Sequence, residues 1–490
     1  MIIVTMTIYI PETKDRTGSK YRIIADAISD DILSGRLDIG AKLPTHRDLA
    51  YHLGVTVGTI TRAYGELQRQ GIAGGQVGSG TFVLDRTKQN QVFPTQIDFA
   101  AREPLKRNDH RLTLEHPGSG KIDLSMNRPT PGPETEALAG TLVELSSSKN
   151  LSILTQYNPA PGMGHHRIAM ANLINTVGLD CEGDDIILTS GAQHAMAACA
   201  VALLNAGDVL LTEELTYPGM TSIASHIGVR VRPVTMDEYG MRPDALEAAV
   251  RETGARVVYL VPVMHNPTTR TMNQERLNAI ADVAKRHNLI LMEDDVYGFQ
   301  SKSRNPPLAQ LAPDNTVYTT GFSKSIAPGL RVGAMKAPKS LFTALAQAVQ
   351  ITGWMIPPLM GEIAYRWIES GRAQHIIAWH QDEMIARNVM AAEILDGFSF
   401  AAQPECLHIW LDLPDGHHAD DTMRTLHDQG VILAGPESFT TAQASVPRSL
   451  RLCLGSTPSH AHLRTGLERV RQVLTEKPVA GFSRLDNMVI

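Results

Sequence analysis

A lysine flanked by small hydroxyl residues is the first feature of the chain that could do chemistry. Lys324 lies in the segment 321–325 (Gly-Phe-Ser-Lys-Ser), after an apolar run, and Arg331 follows seven positions later. A lysine amine at the end of a strand can form a Schiff base with a carbonyl carbon, and a nearby guanidinium can bind a phosphate. A lone lysine after a turn is more often an ordinary surface residue, so other segments must decide between the two interpretations.

Two segments in the middle of the chain could hold a flat, phosphorylated ligand. Gly191 and Ala192 lie between a predicted strand and a predicted helix, where backbone N–H groups and the helix N-terminus can bind a phosphate. This pattern is common in α/β proteins and is weak by itself. Tyr217, which precedes Pro218 and Gly219, could place its ring in a cleft, and a core tyrosine is an equally good interpretation.

Three polar residues at or within apolar runs have both a chemical and a structural interpretation. Asn266 could donate to a phenolate oxygen, or it could form an Asx turn before Pro267. Asp294, in the run Glu-Asp-Asp at 293–295, could pair with a pyridinium nitrogen, whereas consecutive acids more often cap helices or face solvent. Arg451 lies inside an apolar strand and needs a partner, and a substrate carboxylate held by two hydrogen bonds would be one.

The elements that must position these residues begin at about residue 122. Short apolar, partly β-branched runs occur at 186–188, 209–211, 257–261, 289–291 and 316–318, and helical patterns such as residues 274–287 lie between some of them. Strands that alternate with helices predict a mostly parallel sheet covered on both faces. The fold class expected for this part of the chain is therefore α/β.

A smaller head precedes the α/β body. Residues 14–84 predict a helix over 21–34, a second short helix that starts near Thr45 and ends at Gly54, a third helix over 57–70 and a Gly-rich ribbon over 72–83. This is the outline of a winged helix-turn-helix, although a three-helix interaction module would have the same pattern. Residues 85–121, rich in Pro and Gly, predict a linker, and 476–490 a tail without confident structure.

Composition excludes several classes of protein. The chain has 490 residues, which predicts two to four domains, and its 45 basic against 51 acidic residues exclude nucleic-acid binding by bulk charge, while a local basic face stays open. The 4 cysteines are scattered, so we expect neither a disulfide scaffold nor a metal site. No apolar run is long enough for a membrane span. We therefore expect a soluble, cytoplasmic protein.

The order of the chemistry-bearing segments resembles the fold-type I pyridoxal-phosphate enzymes, the aspartate aminotransferase family, over roughly residues 122–475. The head is similar to the GntR-type winged helix over 14–84, through Pro44, Arg47, Thr59, Arg62 and the wing at 78–83. The combination resembles the MocR/GabR-type regulators. It implies a winged head and an aminotransferase body with a mostly parallel sheet, split into a large part (about 165–370) and a smaller C-terminal α+β part (about 375–475).

The resemblance also implies site residues for pyridoxal 5'-phosphate and its ligand. Lys324 forms the internal aldimine, Asp294 keeps the pyridine nitrogen protonated and Tyr217 stacks on the ring; these three are the catalytic candidates. Tyr297 and Asn266 bond the phenolate oxygen, and Arg451 with Asn266 takes the carboxylate of an amino-acid ligand. The phosphate is bound by Gly191, Ala192, Ser323 and Arg331, with Tyr157 supplied by the other subunit of a homodimer. Gly321 departs from the family, because relatives carry Ser or Thr there, and Thr320, Ser323 or Ser325 could substitute.

In the head, the resemblance implies contacts with double-stranded DNA from a set of polar residues: Thr45, Arg47, Thr56, Thr59, Thr61, Arg62 and Ser79. The threonines of the third helix would read bases, and the two arginines would contact phosphates. Val57 and Gly58 stand where relatives often have Arg and a polar residue, and the wing lacks a basic residue. Weak or dimer-dependent DNA binding is therefore expected.

The function implied is a pyridoxal-phosphate-dependent transcriptional regulator that senses an amino-acid-like ligand through aldimine exchange at Lys324. The alternative is a catalytically active aminotransferase with an accessory DNA-binding head, since no residue needed for half-transamination is missing. Whether the chain is an enzyme stays open at this point.

Overall fold

The computed structural model describes residues 9–13, 18–69, 72–76, 80–84, 121–148 and 151–476. The chain divides into two compact units, Met1–Leu105 and Lys106–Ile490. The predicted linker up to residue 120, the tail after residue 476 and the candidate Ser79 lie outside the described residues.

The described residues of the first unit form three helices and a two-stranded antiparallel ribbon, in the predicted order: α1 (Lys20–Leu33), α2 (His46–Leu53), α3 (Val57–Arg69), β1 (Ala73–Gln76) and β2 (Gly80–Val83). Ile28 and Leu49 are fully buried between the helices, together with Ile60 of α3. Because apolar residues recur at helical spacing, each helix presents one apolar face to this shared core. Helix α2 ends at Gly54, which has the left-handed conformation (φ 60°) that glycine accepts without strain.

The second unit begins with elements that build a large sheet and cover it. In chain order they are β3 (Ile122–Asp123), α4 (Glu134–Ser146), α5 (Gly164–Asn175), β4 (Ile186–Thr189), α6 (Ala192–Leu203), β5 (Val209–Glu213), α7 (Pro218–His226), β6 (Arg230–Val234), β7 (Met236–Asp237), β8 (Gly240–Met241), α8 (Pro243–Thr253), β9 (Val257–Leu260), α9 (Gln274–His287), β10 (Ile290–Asp294), α10 (Leu308–Leu311), β11 (Thr316–Gly321), β12 (Gly333–Lys336), α11 (Phe342–Gly353) and α12 (Pro358–Glu369).

The remaining elements form a smaller α+β part around the antiparallel sheet β13–β14–β16. They are α13 (Arg372–Ile394), β13 (Phe400–Ala401), β14 (His408–Asp412), α14 (Ala419–Asp428), β15 (Val431–Ile432), β16 (Ser449–Cys453) and α15 (His460–Thr475). Strand β15 pairs with β3, so the start of this unit is tied to its C-terminal part. None of the helices in the described ranges has the length and apolar character needed to cross a bilayer.

The large sheet has seven strands in the order β4-β12-β11-β10-β9-β5-β6. Strand β12 is antiparallel to both of its neighbours, and the other pairs are parallel, which confirms the predicted mostly parallel sheet. Along β9, Val257 and Tyr259 pack into the core on one face, and Val258 and Leu260 into the core on the other. Since side chains alternate across a strand, an uninterrupted apolar run is what a sheet covered on both faces requires.

Candidate functional site

Most of the residues singled out in the α/β body line one cavity, beyond the carboxyl ends of β9, β10 and β11. The cavity is lined by Ala192, Gln193, Met196, Tyr217, Val261, Asn266, Asp294, Val296, Tyr297, Ser323, Lys324 and Arg331. Two further candidates contact this set, because Gly191 lies against Arg331, and Arg451 bonds to Asn266. Parallel strands end at the same edge of their sheet, so segments far apart in the sequence meet there.

Lys324 follows β11 and is partly shielded from solvent within the cavity. Its Nζ donates a hydrogen bond to the backbone carbonyl of Asn127. Burial, and secondarily the charge of Arg451, lowers the pKa of the Lys324 amine to about 8. At neutral pH roughly one amine in ten is then uncharged, which is the form that can act as a nucleophile.

Asp294 is the last residue of β10 and is 3% exposed. Tyr259 donates a hydrogen bond of 2.6 Å from its Oη to Oδ2 of Asp294, and the backbone N–H of Val296 donates to Oδ1 at 3.3 Å. Burial raises the pKa of Asp294 to about 6, while the hydrogen bond from Tyr259 opposes the rise. The carboxyl group therefore remains ionised at neutral pH, as a partner for a protonated ring nitrogen must be.

The two acids beside Asp294 have structural roles on the other face of the sheet. Glu293 accepts hydrogen bonds of 2.9 Å from the backbone N–H groups of Leu308 and Ala309 at the start of α10. Asp295 pairs with Arg304 at 2.5 Å. The helix-capping interpretation of consecutive acids thus applies to Glu293, and only Asp294 of the three lines the cavity.

Four predicted phosphate-binding residues meet at the start of α6, and we call Gly191, Ala192, Ser323 and Arg331 the α6 cradle. Arg331 donates from Nη1 to Ser323 Oγ at 3.0 Å. A Cβ atom on Gly191 would lie 2.6 Å from Nη2 of Arg331, and the backbone has the left-handed φ of 87°. A larger residue would therefore strain the backbone and displace the guanidinium. The first turn of an α-helix has N–H groups without partners in the helix, and with the arginine and the hydroxyl they fit a phosphate.

The residue type at position 321 follows from close packing. A Cβ atom on Gly321 would lie 3.0 Å from the carbonyl oxygen of Val332, so a larger residue would have to displace backbone. Of the three hydroxyls that could substitute, Thr320 is fully buried and donates to the carbonyl of Asp295. Ser325 Oγ is buried with no hydrogen-bond partner among the described residues. Only Ser323 of the three lines the cavity.

The aromatic residues of the cavity are held by partners that the sequence analysis does not identify. Tyr217 donates from Oη to Gln193 Oε1 at 2.9 Å, and its ring lies against Gly219, where a Cβ atom would approach the ring to 2.2 Å. Tyr297 accepts a 2.8 Å hydrogen bond from Nδ2 of Asn127. Asn127 is distant in sequence and follows no motif, so no local signal could have found it.

Arg451 is 6% exposed and has only neutral contacts among the described residues. Its Nη1 donates to Asn266 Oδ1 at 2.8 Å, its Nη2 donates to the carbonyl of Ser125, and its guanidinium lies 4.6 Å from the ring centroid of Phe439. A buried cation is costly without a counter-charge. The arrangement therefore suits an incoming carboxylate, as the sequence analysis expects.

Of the predicted cofactor residues, Gly191 and Tyr157 do not line the cavity, and Gly191 contacts its lining through Arg331 whereas Tyr157 lies at the surface. Tyr157 is 81% exposed, and its ring lies 5.5 Å from that of Trp354.

In the head, Arg47, Thr61 and Arg62 are exposed. The other candidate threonines take part in helix caps: Thr45 Oγ1 accepts from the backbone N–H of Asp48 at 3.2 Å, and the hydroxyls of Thr56 and Thr59 are 2.9 Å apart.

A reactive amine, a buried carboxylate and a donor-rich helix start at the edge of a mostly parallel sheet define an aminotransferase-like protein. Comparison with known families agrees: the family "Aminotransferase class I and II" matches residues 119–470, and "Bacterial regulatory proteins, gntR family" matches 20–83. The chain belongs to the aminotransferase class I and II family and carries a GntR domain before it. The cofactor of this family is pyridoxal 5'-phosphate, which confirms the predicted cofactor.

Relatives share both domains. An uncharacterized HTH-type transcriptional regulator, YdeF of Bacillus subtilis, is 27% identical over 456 residues, covering 93% of this chain and 94% of its own. The vitamin B6 salvage pathway transcriptional repressor PtsJ of Salmonella typhimurium is 25% identical over 460 residues, covering 93% and 99%. The predicted MocR/GabR-type arrangement is therefore confirmed. Kynurenine aminotransferase of Pyrococcus horikoshii shares the fold of the body, with a TM-score of 0.70 at 24% identity over 80% of this chain and 99% of that one.

Proposed function

We propose that the chain is a transcriptional regulator that binds DNA through its GntR head and responds to a small amine carrying a carboxylate. The observation that supports this most is the presence, in one chain, of a DNA-binding family domain and a cavity that combines Lys324, Asp294 and the α6 cradle. Relatives that align over both domains are named as transcriptional regulators.

Different residues of the cavity would bind different parts of pyridoxal 5'-phosphate. The α6 cradle would hold the phosphate, Tyr217 the ring face, and Tyr297 with Asn266 the phenolate oxygen. Asp294, kept ionised by Tyr259, would hold a proton on the ring nitrogen. When bound, the cofactor supplies an electrophilic carbon and an electron-accepting ring. The amine of Lys324 is the nucleophile that attaches it, and an amine ligand would compete with Lys324 for the same carbon.

Arg451 and Asn266 would select the ligand by its carboxylate. The guanidinium is already oriented by the amide oxygen of Asn266 and by the ring of Phe439, so a carboxylate would meet preorganised donors. Any effect of the ligand on DNA binding must come from a difference in its affinity for two arrangements of the protein. We propose that these are arrangements of a homodimer, to which the exposed Tyr157 of each subunit contributes at the other subunit's cavity.

In the head we propose that α3 faces DNA. Arg47 and Arg62 would contact phosphates, and Thr56, Thr59 and Thr61 would contact bases. Thr45 and Ser79 are further candidates for DNA contact. The hydroxyls of Thr56 and Thr59 also bond to each other, so their contribution to base contacts competes with the cap of α3. This competition agrees with the expectation of weak or dimer-dependent binding.

A gel-shift experiment on DNA upstream of its own gene tests the proposal. Wild type should retard a fragment, and Arg47→Ala combined with Arg62→Ala should weaken retardation at least tenfold. Arg22→Ala, an exposed arginine on α1, is the matched control and should bind as wild type. If no upstream fragment is bound while an amino acid and 2-oxoglutarate are turned over steadily, the chain is an aminotransferase and the regulator proposal is wrong.

A further inference from the structure

Two neighbouring histidines and a glutamate meet where the start of α5 packs against α12. His165 and His166 are the second and third residues of α5, and Glu362 lies on α12. Nε2 of His166 is 3.1 Å and Nε2 of His165 is 3.5 Å from the same oxygen, Oε2 of Glu362. These three ligand atoms all lie within 4.8 Å of one another. None of the three residues lines the cavity that contains Lys324.

We propose that His165, His166 and Glu362 bind a divalent transition-metal ion of the Zn²⁺ class. Two imidazole nitrogens and one carboxylate oxygen are a ligand set that zinc uses, at about 2.0–2.2 Å from the metal. Adjacent corners of such a tetrahedron are about 3.3–3.6 Å apart. The distance of 3.5 Å from His165 to Glu362 lies within this range, and the distance of 3.1 Å from His166 lies slightly below it. Small rotations of the rings would therefore bring the nitrogens to the corners.

The surroundings orient the three ligands. Arg366 donates from Nε to Oε1 of Glu362 at 2.8 Å, which directs the other oxygen, Oε2, to the histidines. Gly361 makes room for the His166 ring, because a Cβ atom there would lie 2.8 Å from its Nδ1. The ring of Tyr365 lies 4.8 Å from that of His165. Contacts of this kind fix ligand geometry around metal ions in proteins.

A metal ion bound here would have a fourth coordination position open to solvent. The side chain of His165 is 47% exposed, whereas that of His166 is 2% exposed, so the cluster lies at the surface with one buried ligand. A groove lined by His165, Glu362 and Tyr365 adjoins it. Three protein ligands and one accessible position are typical of sites that hold a water molecule or an exogenous ligand on the metal.

The ligand types also determine which ions should bind. Imidazole nitrogen favours Zn²⁺, Ni²⁺ and Cu²⁺, whereas Mg²⁺ and Ca²⁺ prefer oxygen ligands. All four cysteines are buried and so do not offer a competing site at the surface. The expectation of no metal site rested on cysteine spacing. It overlooked the histidine pair because its third partner lies 196 residues away in the sequence.

Zinc content of the full-length, untagged holoprotein after equilibrium dialysis tests the site. Wild type should retain about one zinc ion per chain against a buffered zinc solution. His165→Gln and Glu362→Gln should each bind zinc at least tenfold more weakly. His375→Gln, a change at an exposed histidine on α13, is the matched control and should retain the metal. Magnesium should not compete.

Two outcomes would overturn the proposal: wild type that retains no zinc, or zinc content that neither cluster variant reduces. Circular dichroism shows whether a variant is folded, and the exposed position of His165 makes that variant the safer of the two. Thermal unfolding gives a second measurement, because a ligand of the folded state raises the midpoint in wild type and in His375→Gln but not in His165→Gln. Lys324→Ala should keep its zinc, which separates this site from the cofactor site.

Discussion

The charge of Arg451 should control the reactivity of Lys324, and this coupling can be measured. The pKa of Lys324 is lowered from 10.5 to about 8, first by burial and next by Arg451. At pH 7 the shift increases the uncharged fraction of the amine about 300-fold over an ordinary lysine. Arg451→Met removes the charge and keeps an apolar side chain of similar length. Burial remains as the larger cause, so we expect the pKa to rise by about half a unit to one unit.

Competitive acylation with trace acetic anhydride measures this pKa in the cofactor-free protein. Mass spectrometry of the peptide that contains Lys324 gives the fraction acylated at each pH. In wild type the reactivity should rise tenfold per pH unit and level off above pH 8. In Arg451→Met the midpoint should move to higher pH, and reactivity at pH 7 should fall about 3- to 10-fold with the plateau unchanged.

The control is Arg448→Met, which removes an arginine three residues before Arg451 in the sequence. The Nη1 atom of Arg448 lies 3.3 Å from Asp415 at the surface. Its profile should match that of wild type. A wild-type midpoint near 10.5 would refute the argument that burial activates Lys324. A midpoint near 8 that Arg451→Met leaves unchanged would refute the coupling and leave burial as the only cause.

Three further predictions concern the residues that support the site and the head. Tyr259→Phe removes a hydrogen bond to a buried carboxylate, so the pKa of Asp294 should rise further and cofactor affinity, titrated by absorbance at pH 7.5, should fall about tenfold. Gly191→Ala should weaken cofactor binding at least as much, because its Cβ would meet the guanidinium of the α6 cradle, whereas Gly329→Ala, with open space around it, should bind normally. Thr45→Ala removes the N-cap of α2 and should lower the free energy of unfolding of the head by about 1 kcal/mol in urea titrations.

Local sequence motifs were enough to predict site residues whose position depends on a single strand or turn. Asp294 ends an apolar run and Lys324 follows one, so the sequence alone indicates that they lie at the edge of a sheet. The choice of Asp294 over its neighbours has a simple physical origin, since side chains alternate across a strand and Glu293 faces the other side. The mostly parallel sheet follows from the same apolar runs.

Residues that act through long-range contacts could not be predicted in this way. Asn127 reaches Tyr297 across 170 positions, and it carries no periodic or motif signal. In the sequence, Tyr259 is indistinguishable from the other apolar residues of its strand. Its role depends on the pairing of β9 with β10, which brings its hydroxyl group to Asp294. A sequence pattern reports the local conformation of a segment, while pairing partners depend on the register of strands that are separated by whole helices.

The position of Arg451 connects ligand recognition with the chemistry at Lys324. A carboxylate bound by Arg451 would neutralise the charge that helps to lower the pKa of Lys324. The released amine would then hold a proton more strongly and would be a weaker nucleophile toward the carbon it has left. Ligands with a carboxylate should therefore displace Lys324 more completely than amines of the same size without one, in addition to binding more tightly. The effect through the pKa of Lys324 depends on pH near 8, whereas simple ion pairing between the carboxylate and Arg451 does not. The pH dependence of ligand binding therefore separates the contribution of the Lys324 pKa from that of the ion pair.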